Sequence, residues 1–261
     1  MAAERKSPSG DFIQSLQRGL MVINSFSREH PSQTLSEVAE RTGLTRATSR
    51  RVLLTLAELG YVDQRGRSFA LTPKVLDLGY SFLSSFHVVE LAQPSMERLV
   101  DQVHESSSMS VLDGSEIVYV ARVPTKRIMT IALALGSRLP AYPTSMGRVL
   151  LSGLTDEELD AYIAQTRFEK LTPHTITSKK EFRELVVRCR SDGYALVDQE
   201  LEEGVRSIAA PIRNGRDKVI AAINVSCHAS RVDIESMLEK FKPKLLITAS
   251  EIADRARSLK I

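Results

Sequence analysis

The feature that most constrains this chain is a pair of helix signals joined by a glycine within residues 34–60. Thr34 and Glu37 have the spacing of a capping box, which predicts that a helix begins in TLSEVAERTG. Gly43 suits the left-handed residue that ends such a helix and turns the chain into the next one. RATSRRVLLTLAEL then repeats apolar residues with helical spacing. Two short helices joined by a tight glycine turn indicate a helix-turn-helix.

The second of these helices is predicted to have one apolar face and one basic face. Val52, Leu56 and Leu59 fall together on the helical wheel. The opposite side carries arginines and a small alanine near the helix N-terminus. Thr45 and the first-turn amides suit a bound phosphate. A solvated arginine face is the alternative for the helix taken alone.

A two-stranded wing is predicted directly after this helix. YVDQRGRSFALT alternates around an Arg65-Gly66 turn, which is a hairpin signal. A DNA major groove admits one helix, read by residues near its N-terminus, and further cations hold phosphates. Helix, turn and wing together therefore favour DNA over a merely solvated face. The candidate DNA-contacting residues are Thr45, Arg46, Ala47, Thr48, Arg50, Arg51, Arg65 and Arg67.

The positive charge of the chain is concentrated in its first third. The whole chain has a net charge of +3. Residues 1–86 hold 11 Lys and Arg against 8 Asp and Glu, so they carry all of this excess. Arg5 and Lys6 could add an arm to the DNA contacts. This distribution is consistent with a polyanion partner for the N-terminal part alone.

Helices are predicted on both sides of the basic segment. SLQRGLMVINSF is predicted to be a helix that begins with Ser15 as its cap. Residues 73–94 are predicted to form one or two helices, with an apolar stripe that needs a partner. We favour a linker helix that pairs with its copy in a dimer, and packing on the same chain is the alternative. The stripe consists of Val75, Leu78, Phe82, Phe86 and Val89.

The remaining residues are predicted to mix helices and antiparallel strands. Asp113-Gly114 and Asn214-Gly215 are hairpin signals, and IMTIALAL is predicted to be a further strand. Helices are predicted to begin at Thr155 and Ser178, each with a glutamate three residues on. The closing helix is predicted to break near Pro243. The fold class is therefore α+β.

Catalytic, metal and membrane signals are absent from the sequence. It contains no HExxH, CxxC, GxGxxG, Walker A or GxSxG pattern. Cys227 and His228 are adjacent on a predicted strand, so they point to opposite faces and cannot form a dyad. Cys189 is expected in the core. We expect no enzyme activity, cofactor, metal site or membrane segment, and two unpaired cysteines with a polar N-terminus suggest the cytoplasm.

A binding pocket is predicted in the second part. Ser145 to Gly147 are expected to begin a helix after a Gly/Pro/Ser-rich loop, where free amides and a hydroxyl can hold an anion. Ser207 lies on one predicted strand, and Asn224 and Ser226 share one face of another. Small polar residues on core strands indicate a ligand-binding wall. Polarity satisfied within the protein is the alternative.

The sequence resembles the IclR family of bacterial transcription regulators over nearly its whole length. The resemblance is carried by LSEVAERTGLTRATSRRVLLTLAELGYV, FALTPKVLDLGYSFLSS, GYALVDQELEEGVRSIAAPI and INVSCHASR. Its SSSMSVLDGSEIVYVARVP and RLPAYPTSMGRVLL resemble the Pca/Pob-type branch, which controls aromatic-acid catabolism through protocatechuate and β-ketoadipate.

This resemblance implies three parts and two kinds of partner. A winged helix-turn-helix would span residues 1–74, a linker helix 75–88, and a GAF-like effector domain with a central antiparallel sheet 89–261. A homodimer, often a dimer of dimers, would bind a near-palindromic operator and a small organic or aromatic acid. Some members carry a structural metal, but no matching ligand set occurs here. The implied effector contacts, with Ser145 from the pocket analysis, are Ser145, Met146, Gly147, Asp198, Ser207, Asn224 and Ser226.

Three alternatives stay open at this stage. One is an enzyme-like domain that binds small organic acids and has a DNA-binding head. Another is an architectural DNA binder without an effector, and the third is a regulator of a different carboxylate pathway.

Overall fold

The computed structural model describes residues 10–125 and 133–258. The chain divides into two compact units between Ser84 and Ser85. The N-terminal Arg5 and Lys6, and residues 128–132 of the predicted strand IMTIALAL, lie outside the described residues.

The first unit is a winged helix. Its three strands form an antiparallel sheet in the order β1-β3-β2. The first strand was not predicted from the sequence; it pairs Ser32–Thr34 with the wing. The elements are α1 Gln14–Asn24, β1 Ser32–Thr34, α2 Leu35–Thr42, α3 Arg46–Glu58, β2 Val62–Arg65, β3 Ser68–Leu71, a 3-10 turn Pro73–Val75 and α4 Leu76–Ser85.

The local signals around the turn are largely confirmed. Thr34 and Glu37 form the capping box of α2, and Gly43 ends that helix with a φ of 66°. Two details were wrong. Helix α1 begins at Gln14 with no side-chain cap, so Ser15 is not its cap. The wing turn consists of Gly66 and Arg67, because Arg65 pairs with Ser68.

The face of α3 that packs into the core of the winged helix differs from the predicted one. Leu53 and Leu56 are buried, together with Ser49. Leu59 was predicted on the buried face, but it is 53% exposed. Because Leu53 rather than Leu59 meets the core, the apolar stripe is rotated by part of a turn. The core cluster is Val22, Val38, Leu53, Leu56, Val62 and Phe69.

The second unit is built on a six-stranded antiparallel sheet in the order β6-β5-β4-β9-β8-β7. This arrangement confirms the predicted α+β class with a central antiparallel sheet. The helices are α5 Val88–Val103, α6 Ser145–Ser152, α7 Asp156–Gln165, α8 Lys179–Asp192, α9 Ile234–Ser236 and α10 Lys242–Ser258. The strands are β4 Ser106–Asp113, β5 Glu116–Val123, β6 Arg138–Pro140, β7 Ala195–Asp198, β8 Val205–Arg213 and β9 Val219–His228.

Helices cover both faces of this sheet. Helices α6 to α8 share a core with Ala209 and Ala222 on one face. Helices α5 and α10 pack on β4, β5 and β8, and Ile208 and Ile223 are fully buried beneath them. The predicted break near Pro243 was wrong, because a π-helical turn over Met237–Phe241 runs into α10 and Pro243 fits its first turn.

Candidate functional site

Helix α3 presents its N-terminal turn to solvent. The Thr45 hydroxyl accepts a hydrogen bond from the Thr48 amide at 3.2 Å, which fixes where the helix begins. Arg46, Arg50 and Arg51 are exposed. None of these three guanidinium groups has an ion-pair partner among residues 10–125 and 133–258. Their positive charge is therefore not neutralised by a described carboxylate.

The other predicted DNA contacts surround this cluster or lie on the wing. Thr45 and Ala47 are exposed, and Thr48 is half-buried. Arg65 is also exposed, but its Nε pairs with Asp63 at 2.9 Å, so part of its charge is compensated. Arg67 lies exposed in the wing turn.

A small cavity in the second unit lies at the N-terminus of α6. It has a volume of about 40 Å³, enough for a few water molecules. Five of the seven predicted effector residues line it, namely Ser145, Met146, Ser207, Asn224 and Ser226. Its other lining residues, most of which the sequence analysis did not single out, are Tyr119, Leu133, Leu139, Pro143, Thr144, Val197, Leu201 and Val205.

The polar side chains of the cavity hydrogen-bond to one another. The hydroxyls of Ser145 and Ser207 are 2.9 Å apart. Asn224 donates to the Ser226 hydroxyl at 2.9 Å, and its carbonyl oxygen accepts from the Ser108 amide at 3.0 Å. A ligand must therefore compete with existing hydrogen bonds at these positions.

The helix start supplies two further donors. The Gly147 amide donates to the Thr144 hydroxyl at 3.0 Å, so it is already satisfied. The amides of Ser145 and Met146 have no acceptor in the described part of the chain. The predicted anion site at the start of α6 therefore has two free backbone amides, those of Ser145 and Met146, rather than three.

Two predicted effector contacts lie outside the cavity lining. Asp198 pairs with Arg206 at 2.8 Å and occupies the sheet face opposite to Val197, which does line the cavity. Gly147 instead packs on the loop before the helix: a Cβ there would lie 1.9 Å from the Ala141 carbonyl oxygen. We assign Asp198 to an ion pair and Gly147 to helix packing.

A buried ion pair connects α6 to the segment that follows β7, next to the cavity wall. Arg148 in α6 and Glu200, which follows β7, are 2.6 Å apart, and both are almost fully buried. The same carboxylate accepts a hydrogen bond from the Ile176 amide at 3.2 Å. Because Glu200 precedes Leu201, this pair fixes one cavity wall relative to the helix.

The two cysteine thiols and the phenol of Tyr119, which lines the cavity, are poor nucleophiles. Burial raises the pKa of the Cys227 thiol to about 12 and also raises the pKa of Cys189. Burial raises the pKa of Tyr119 to about 12, so its phenol stays neutral. Cys227 lies on the sheet face opposite to Asn224 and Ser226, as predicted. Within residues 10–125 and 133–258, no group of three His, Cys, Asp or Glu is arranged to hold a metal.

Comparison with protein families assigns both units. The model for the IclR helix-turn-helix domain matches residues 15–66, and the model for the bacterial transcriptional regulator IclR C-terminal matches residues 80–254. The chain belongs to the IclR family of bacterial transcriptional regulators. No described helix is long and apolar enough to cross a membrane.

Relatives group this IclR member with the Pca/Pob branch. The Pca regulon regulatory protein of Pseudomonas putida is 41% identical over 93% of this chain and 84% of its own length. A transcriptional regulator from Rhodococcus sp. RHA1 has a crystal structure with a TM-score of 0.86 and 52% identity, over 95% of this chain and 100% of that one. The inducer-binding domain of a PobR double mutant from Acinetobacter, solved with 3-hydroxybenzoic acid, is 36% identical with a TM-score of 0.60, over 63% of this chain and 97% of that one.

Replacing Gly147 tests its assignment to packing. Gly147→Ala is expected to destabilise the second unit by about 3 kcal/mol, because the new methyl group meets the backbone of Ala141. Thermal unfolding followed by circular dichroism measures the loss. Gly215→Ala is the matched control, since its Cβ would meet only ordinary van der Waals contact with Arg257. Equal melting temperatures for the two variants would contradict the packing role.

Proposed function

We propose that this IclR-family chain is a ligand-responsive transcription regulator of aromatic-acid catabolism. The DNA-binding part rests on the exposed arginines at the start of α3, which have no described carboxylate partner. Helix residues would read bases and phosphates in the major groove, and Arg65 and Arg67 would hold the backbone. The proposed division remains 1–74, 75–88 and 89–261, and the boundary between the compact units falls inside the linker segment.

The aromatic class of the effector rests on the relatives together with the cavity. The names of the similar proteins refer to the Pca regulon and to a PobR domain bound to 3-hydroxybenzoic acid. Hydroxyls, an amide side chain and apolar walls line the cavity, which suits a ring with polar substituents. The present volume is far below the several hundred Å³ typical of ligand sites, so side chains must move on binding.

We propose that the protein acts in the cytoplasm as a homodimer, with a dimer of dimers as a further assembly. Two winged helices would dock about 34 Å apart on a near-palindromic operator. The first unit carries an open groove lined by Leu16, Leu20, Leu59 and Leu78, and α4 has no buried residue. Apolar surface of this extent is typical of an interaction site.

Effector binding must favour one dimer arrangement to have any effect on DNA. A coupling of about 1–3 kcal/mol changes operator affinity by about 5- to 150-fold. Catalysis is not part of the proposal, because the similar proteins are named as regulators and the cysteine thiols carry raised pKa values.

Substitution of Arg50 tests whether α3 contacts DNA bases. Arg50→Ala is expected to weaken specific binding by about 1–3 kcal/mol if the guanidinium contacts a base. Gel-shift titration on a near-palindromic site selected from random DNA measures the change. Arg188→Ala, an exposed arginine of the second unit, is the control. Wild-type affinity in Arg50→Ala would remove this residue from the interface.

Ser226 provides the test of the cavity. Ser226→Leu is expected to abolish the rise in melting temperature caused by 4-hydroxybenzoate, because the larger side chain fills a cavity of about 40 Å³. DNA binding by the first unit should persist. Ser226→Ala keeps the space but removes the hydroxyl, so comparison with it separates filling of the cavity from loss of the hydrogen bond to Asn224. Full ligand stabilisation of Ser226→Leu would mean that the effector binds elsewhere.

Leu78 provides the test of dimerisation. Leu78 is 49% exposed and lines the groove, so Leu78→Asp is expected to place an unpaired charge in the proposed interface and favour monomers. Light scattering after size-exclusion chromatography measures the mass. Leu171→Asp changes a residue of the second unit that is 42% exposed. A dimeric mass for both variants would argue against this groove as the interface.

A further inference from the structure

The pairing of β4 with β5 contains one irregularity. Ser110 pairs with Tyr119, but Met109 pairs with Ala121, so β5 has one extra residue at this point. In a regular strand Tyr119 and Arg122 would face opposite sides of the sheet, because they are three residues apart. The bulge places both on the same side.

That side of the sheet carries the cavity. Arg122 lies opposite Ser108 on β4, and Ser108 in turn lies opposite Asn224 on β9. Asn224 and Tyr119 both line the cavity. Arg122, Ser108 and Asn224 therefore form one polar row across three neighbouring strands, and the row leads from the cavity to a guanidinium group.

Arg122 has a hydrogen-bond partner but no described carboxylate partner. Its Nη1 donates to the carbonyl oxygen of Leu133, a cavity-lining residue, at 2.9 Å. No Asp or Glu within residues 10–125 and 133–258 pairs with it, and residues 126–132 contain neither residue type. Its charge acts on Tyr119, where it opposes the rise in pKa caused by burial.

Three other arginines of this unit that are not fully exposed are neutralised, whereas Arg255 in α10, on the other face of the sheet, donates to the Leu91 carbonyl oxygen. Arg148, Arg206 and Arg231 pair with carboxylates at distances of 2.6, 2.8 and 3.0 Å. Arg122 is likewise less than fully exposed, yet a neutral carbonyl oxygen is its acceptor. A partly desolvated guanidinium gains most from an anionic acceptor, because charge-assisted hydrogen bonds are about twice as strong as neutral ones.

We infer that Arg122 is the counter-ion for the carboxylate of the effector, and that it makes the cavity select anionic aromatic ligands over neutral ones. This inference rests on the proposed function. The carboxylate replaces the Leu133 carbonyl oxygen as acceptor for the guanidinium group. The two free amides of α6 supply a partial positive charge that can hold a second polar group of the ligand, whereas Arg122 supplies a full positive charge.

Arg122→Gln tests the inference when the ligand charge is varied as well. Isothermal titration calorimetry of the full chain compares 4-hydroxybenzoate with 4-hydroxybenzamide, which has a similar shape but no charge. The wild type is expected to prefer the acid. Arg122→Gln is expected to bind the acid about 10- to 100-fold more weakly, with little change for the amide.

Three further variants keep the result interpretable. Arg188→Gln removes an exposed arginine and should retain the wild-type preference. Arg122→Met keeps much of the unbranched aliphatic stem and gives the same test if the glutamine variant does not fold. Lysine at this position, in Arg122→Lys, should keep part of the acid preference because the charge remains.

The outcomes separate this inference from the proposed function. A wild type that prefers the acid, with the preference retained in Arg122→Gln or Arg122→Met, overturns the role of Arg122 alone. A wild type that binds neither compound contradicts the aromatic-acid function, and the inference falls with it. Equal loss of acid and amide binding in the variants also overturns the inference, because it indicates a role in cavity shape rather than in charge recognition.

Discussion

The antiparallel register between β4 and β9 is the constraint on which the candidate effector site depends. It places Ser108 opposite Asn224 and Ser106 opposite Ser226, although more than one hundred residues of chain separate each pair. A shift of one residue would turn every one of these side chains to the other face of the sheet. Because helices cover both faces, such a shift would also move Ile223 to the cavity face and Asn224 into the apolar core on the other face. The packing of apolar residues therefore specifies the register of β4 and β9, and the polar residues of the cavity take their positions from that register.

The winged helix has a small buried core and much exposed apolar surface. Its small core leaves the apolar sides of α1 and α4 exposed, including Leu16 at 61% and Leu76 at 73%. A unit of this size buries a modest fraction of its surface, so association is a natural route to further stability. The start of α3 is instead a charged surface, where Arg46, Arg50 and Arg51 have no ion-pair partner in the described part of the chain. Self-repulsion there is relieved when phosphates approach.

Local chemistry explains which elements could be predicted from the sequence. Thr34 with Glu37 and Thr155 with Glu158 act within one helical turn, so the capping boxes appear in the structure where the sequence indicates them. The α+β class and the hairpin at Gly114 also follow from local alternation and turn residues. The short strand at Ser32–Thr34 was missed because its three residues pair with a distant wing strand.

The parts of the site that the sequence did not reveal depend on distant contacts. The assignment of Asp198 to an ion pair depends on the position of Arg206 across a strand pair, and the packing of Gly147 depends on the Ala141 backbone. Arg122 was missed for a related reason. Strict alternation assigns it to the face opposite Tyr119, and only the bulge reverses that assignment.

The small volume of the cavity limits how fast a ligand can bind. Because Ser145 bonds to Ser207 and Asn224 to Ser226, the ring of the proposed effector would have to separate side chains that already satisfy one another. Association then waits for an opening fluctuation of the wall and proceeds below the rate of diffusional encounter. A sensor of this kind responds to how long a metabolite persists as well as to its concentration, and it averages over brief fluctuations in supply.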